Sequence, residues 1–170
     1  MTALPVADLD ETGGTTLVPV PLTVALVGCG KVKADAAAPA RELYTGALFR
    51  KAAAYAEAHA DEWYVLSAFH HLVAPDTTLQ PYDRSFTGTR PIERYRWAHR
   101  VNDDLRRTVA GRGPVHVIVL AGVTYRDELL PMLRRWAANV SVPMDGLRIG
   151  EQLAWLTEQN ARSGGSSCAR

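Results

Sequence analysis

The segment Ser67–Asp83, reading SAFHHLVAPDTTLQPYD, concentrates polar chemistry. Ser67 closes an apolar run, His70 and His71 follow at once, and Asp76, Gln80, Tyr82 and Asp83 lie on a proline-punctuated loop. Imidazole moves protons near neutral pH, and a carboxylate can orient it or act as a base. Ser67 lacks a G-x-S-x-G context, which argues against a serine hydrolase. The plainer alternative is a structural loop. Pro75-Asp76 and Pro81-Tyr82-Asp83 are good turn formers, and a histidine there can simply bond backbone.

Two further stretches combine glycine with reactive side chains. Gly28-Cys29-Gly30-Lys31-Val32-Lys33 offers a tight turn, close backbone approach and positive charge, suited to a phosphate or carboxylate. It is neither a Walker motif nor a complete GxGxxG, and Cys29 reads equally as a small buried residue. Ala121–Asp127 runs a small-residue turn into a helix, with Tyr125 for stacking and Arg126 for pairing an anion; helix capping by Thr124 or Asp127 is its structural alternative. Gly146, Gly150, Glu151 and Gln152 form a later polar, glycine-spaced stretch.

The intervening sequence supplies the elements that hold these residues. Leu22–Gly28, Trp63–Ala68 and Val115–Ala121 are continuous apolar runs, the signature of strands buried on both faces. Tyr44–Ala60, Arg90–Ala110, Arg126–Ala138 and Ile149–Gln159 carry helical spacing, with Pro91 at a first-turn position and Val140–Val142 as a short fourth strand. Strands alternating with helices predict an α/β fold, a single three-layer domain with a mostly parallel central sheet, Rossmann-like or glycosylase-like. Ligands then bind outside the carboxyl ends of the strands, where the three stretches fall. Residues 1–21 read as a flexible arm, 22–161 as the domain and 162–170 as a disordered tail.

Composition narrows the partners. At 170 residues and a net charge of +1, the chain is the size of one domain and gives no bulk electrostatic reason to meet nucleic acid or membrane. No apolar run approaches the roughly 20 residues that span a bilayer. The two cysteines, Cys29 and Cys168, are poorly placed for a disulfide, so a reducing, cytoplasmic location is expected. Between Arg90 and Arg112, Arg96, Arg100 and Arg107 share a helix face. That face suits phosphate, or it is a solvated surface in an arginine-biased composition.

The ordered series LVGCGKVK, ARELYTGALFRKAAAYAE, WYVLSAFHHLVAPDTTLQPYD and GLRIGEQLAWL resembles the family called domain of unknown function 6884, over about Val24 to Leu156. The loop LSAFHHLVAPDTTLQPYD is also remotely similar to the YaaA peroxide-stress family, which is associated with DNA binding and protection from oxidative damage. The superfamily resembles the uracil-DNA-glycosylase-like α/β fold. Shared positions implied by the resemblance are Cys29, Gly30, Lys31, Tyr44, Ser67, His70, Pro81, Tyr82, Asp83, Gly150 and Gln152. Where relatives commonly carry Ser-Ala-Lys-His-Gly, this chain has Ser67-Ala68-Phe69-His70-His71, which exchanges a cation for an aromatic ring and a glycine for an imidazole.

The expected function is an enzyme acting on a nucleotide, nucleoside or nucleic acid, at an N-glycosidic bond. His70, Asp83 and Ser67 would serve the reaction. Cys29, Gly30, Lys31, His71, Tyr82, Tyr125, Arg126 and Gln152 would hold the substrate, with no metal or other cofactor. A non-catalytic DNA-binding stress-protection protein and an accessory domain for a protein partner are the alternatives.

Overall fold

The structure is a computed structural model and describes residues 19–165. The expected arm up to residue 18 and the tail from 166, Cys168 included, lie outside the described residues. The elements are β1 (Leu22–Gly28), β2 (Ala38–Pro39), α1 (Ala40–Leu43), α2 (Ala47–His59), β3 (Glu62–Ser67), β4 (His71–Val73), β5 (Thr78–Leu79), α3 (Pro91–Thr108), β6 (Val115–Leu120), α4 (Val123–Leu133), β7 (Asn139–Ser141) and α5 (Ile149–Gly165).

The fold is mixed α/β, with a five-stranded, mostly parallel sheet in the order β4-β3-β1-β6-β7. β1 runs parallel to β3 on one side and to β6 on the other, so the chain reverses its direction of sheet growth at β1. Open parallel sheets bind ligands outside the strand ends at such a reversal, because the following loops diverge there. β1 can sit centrally because Val24, Ala25, Leu26 and Val27 are all fully buried. Alternate residues enter separate clusters. Ala25 and Val27 join Phe49, Ala52 and Ala56 of α2 and Leu156 of α5. Val24 and Leu26 join Trp97, Val101 and Leu105 of α3 and Leu129 and Leu133 of α4. Each fully buried valine or leucine side chain among them contributes about 1.5–3 kcal/mol.

Several boundaries differ from the periodicity. The second helix begins at Ala47 instead of Tyr44, because Tyr44 leaves α1 with extended backbone and bridges Lys33. α4 begins at Val123 instead of Arg126, with extended Gly122 at its N-cap. α5 continues to Gly165, so residues 162–165 are helical where a disordered tail was expected.

The loop after Ser67 also contains more regular structure than its composition suggests. His71–Val73 folds back as an antiparallel strand on β3, pairing Ser67 with His71, Leu66 with Leu72 and Val65 with Val73. Thr78–Leu79 forms a small ribbon with Ala38–Pro39.

Candidate functional site

The carboxyl ends of β1 and β6 lie close together. A Cβ on Gly28 would stand 3.1 Å from the Cβ of Ala121, so only glycine allows this approach without displacement. Just beyond, the Cys29 Sγ and Tyr125 hydroxyl meet at 3.1 Å across the reversal point. They border a crevice of about 260 Å³ lined also by Gly30, Lys31, Thr124 and the segment Arg84–Thr87. Its volume lies near the small end of ordinary ligand pockets. Its wall is aromatic: Phe86 packs on Tyr125 at 4.8 Å and on Trp97 at 5.0 Å between ring centroids. Lys31 and Arg84 add positive charge, and the first turn of α4 opens onto it at Thr124, where helix ends favour anions.

Beside the crevice runs a chain of hydroxyls. Ser67 Oγ lies 2.7 Å from the Tyr82 hydroxyl, which lies 2.7 Å from that of Tyr44. Ser67 Oγ already accepts the backbone N–H groups of Phe69 and His70, at 3.2 and 2.9 Å, which occupies both lone pairs. Its own proton is therefore directed to Tyr82, and the proton of Tyr82 to Tyr44. Burial, followed by the nearby Cys29 sulfur, pushes the Tyr82 and Tyr125 hydroxyls far up, and burial raises Tyr44. These phenols remain protonated donors. Lys33 Nζ stands 4.4 Å from the Tyr82 ring centroid, a cation–π contact.

Ser67 is fully buried, and Trp97 Nε1 donates to its carbonyl at 2.8 Å. A direct part in the reaction, as the sequence suggested for Ser67, does not fit this burial. Ser67 positions the turn that carries His70. The His70 ring packs edge-on against Phe69 and Tyr82, at 4.7 and 5.1 Å, and burial lowers its pKa.

His70 and His71 serve different surroundings. His71 lines a second concavity, of about 370 Å³, together with Arg84, Phe86, Arg96, Trp97 and Arg100. Burial and then the Arg100 guanidinium lower the pKa of His71. His71 has φ 66°, the one positive φ of a non-glycine residue among the described residues. Short hairpin loops commonly end on a left-handed residue, and a side chain there costs about 1–2 kcal/mol. A glycine would take this φ without that cost.

The remaining expected residues lie apart. Asp83 is exposed and makes no hydrogen bond or ion pair among the described residues. Arg126 is held by Asp145 at 2.6 Å, and Gln152 donates to the Leu147 carbonyl at 2.8 Å. Neither lines the crevice. Among the described residues no three His, Cys, Asp or Glu side chains gather to hold a metal ion, so His70, His71 and Asp83 do not converge. On and beside α3, Arg90 pairs with Glu93, Arg100 and Arg107 with Asp104, and Arg112 with Glu62. Much of the expected basic face is thus neutralised locally.

Residue-type reasoning overlooked Arg84, Phe86 and Thr87. They follow the Pro-Tyr-Asp turn directly, and an arginine and an aromatic ring two residues apart were the available signal. Tyr44 stood in the motif, but its partnership with Tyr82 depends on tertiary contact.

Fold and site together define a mixed α/β protein with a ligand-sized crevice where its parallel strands reverse order. The chain belongs to the family of unknown function DUF6884, whose model matches residues 24–158 and so includes the crevice and the hydroxyl chain. No curated protein matches the chain. No helix among the described residues is long and apolar enough to cross a membrane.

Proposed function

We propose that this protein is an enzyme that takes a nucleobase-containing substrate into the crevice between β1 and β6 and cleaves its N-glycosidic bond. The observation that carries this reading is the Phe86–Tyr125 aromatic wall beside Lys31 and Arg84 at the strand-order reversal. A flat apolar ring stacks on such a wall, while the cations suit an anionic substituent. The two clusters fed by alternate β1 residues support a three-layer, glycosylase-like arrangement, and the Ser67–Asp83 sequence supports a distant relationship to YaaA.

In this scheme water attacks the anomeric carbon and the base leaves with the bonding electrons. Asp83, next in sequence to Arg84 of the crevice wall, is assigned to activate water, and His70, on the neighbouring β3–β4 turn, to stabilise charge on the departing base. Tyr125, whose hydroxyl is fixed against Cys29 in the crevice wall, supplies a preorganised dipole, and preorganisation of this kind is worth several kcal/mol in enzymes.

Incubation with nucleosides, nucleotides and DNA, followed by chromatography for free base, tests the reaction. Release by the wild type, reduced at least tenfold in His70→Ala and Asp83→Ala, is expected. No release, with all three proteins alike, contradicts it. Non-catalytic nucleic-acid binding finds support in Arg84 and Arg96, which have no carboxylate partner among the described residues, beside the exposed ring of Phe69. It requires duplex or single-strand binding that weakens steeply with salt and without turnover.

A further inference from the structure

We propose that the concavity between β4 and α3 is a phosphate-ester subsite, occupied by the phosphate of the ligand whose base lies in the crevice. The proposal rests on the nucleobase reading above for the second half of that statement, and on the concavity itself for the first.

Three guanidinium groups, those of Arg84, Arg96 and Arg100, line this concavity with the His71 imidazole. Arg84 and Arg96 have no carboxylate partner among the described residues, and Arg100 shares Asp104 with Arg107. Glu93 is the acid in the wall, and it is already engaged by the backbone N–H of Arg90 at 3.1 Å and by the Arg90 guanidinium at 3.4 Å. Three arginines against one acid in the same lining leave an excess of positive charge that suits an anion. Guanidinium forks match the oxygens of phosphate, and a neutral imidazole N–H adds a donor.

Two further observations point to a ligand. His71 occupies a left-handed backbone position where an imidazole is disfavoured, and that imidazole lines the concavity. Arg84 and Phe86 line both the concavity and the crevice, so one molecule can touch both across a shared wall. Arg84 Cζ also stands 5.8 Å from the Phe69 ring centroid, which steadies the guanidinium at this junction.

Calorimetry with a nucleoside, its 5′-monophosphate, inorganic phosphate and a short single-stranded oligonucleotide tests the proposal. The monophosphate is expected to bind at least tenfold tighter than the nucleoside. Arg96→Gln and Arg100→Gln remove that margin, while Arg106→Gln, on the same helix but away from the concavity, keeps it. An oligonucleotide that binds tighter still, with the same dependence on Arg96, assigns the phosphate to a strand instead of a free nucleotide. Equal binding of nucleoside and monophosphate overturns the subsite and leaves the nucleobase reading standing. If neither binds, inorganic phosphate decides. Binding that depends on Arg96 keeps the anion subsite and removes the nucleobase reading, and absent binding removes both.

Discussion

The Tyr82 hydroxyl lies 2.7 Å from Ser67 Oγ and so ties the far end of a fifteen-residue excursion to the strand from which it departs. Because Ser67 Oγ also accepts two backbone N–H groups, one atom fixes both the turn carrying His70 and the return of the loop. Ser67→Ala leaves these half-buried donors without their partner and is expected to cost about 1–3 kcal/mol. Tyr82→Phe should cost a similar amount, and the double variant less than the sum, because both remove the same bond. Urea denaturation of the four proteins measures this; strict additivity would deny the coupling.

His71→Gly relieves a left-handed side chain and is expected to stabilise the fold by about 1 kcal/mol. His71→Val, branched at the same φ, is expected to destabilise it. Thermal melts in the absence of ligand distinguish the two, and a destabilising glycine would show that imidazole contacts outweigh the strain.

Both His70 and His71 have pKa values lowered from 6.5, chiefly by burial. Their folded forms therefore bind protons less readily than the unfolded chain does. Above pH 6.5 both states are neutral and the effect vanishes; as pH falls below 6.5 toward the folded values, the unfolded state gains protons first and stability declines. Arg100, Arg84 and the neighbouring His70 work in the same direction at His71, and Asp104 opposes them. Denaturation midpoints at pH 7.5 and 5.0 should differ less in a His70→Gln, His71→Gln double variant than in the wild type.

Gly28→Ala brings a methyl group within 3.1 Å of the Ala121 Cβ where the strand ends converge. Overpacking at such a point costs about 1–3 kcal/mol. The same substitution should widen the mouth of the crevice and weaken nucleoside binding, read by calorimetry alongside denaturation.

Much of the fold is legible in the sequence because long apolar runs and helical periodicity report burial directly. Leu22–Gly28 and Val115–Leu120 are examples, each lying in the core where its composition puts it. The β4 strand and the β2–β5 ribbon are not legible, because two or three residues carry no period and their pairing is decided by partners distant in sequence. The site divides in the same way. Cys29, Gly30, Lys31 and Tyr125 meet because strand-end topology brings them together. His70 ends the tight turn between β3 and β4 while His71 begins β4, a change of backbone that a flat reading of the segment does not contain. Arg126 offers a charge for substrate on paper and spends it on Asp145 in the fold.

The occupant of the crevice is decided most directly by a crystal structure grown with a saturating nucleoside 5′-monophosphate. Electron density for the base against Phe86 and Tyr125, with the phosphate toward Arg84 and Arg96, is the predicted result. An empty crevice at saturation, or a nucleotide bound elsewhere on the chain, would contradict the account.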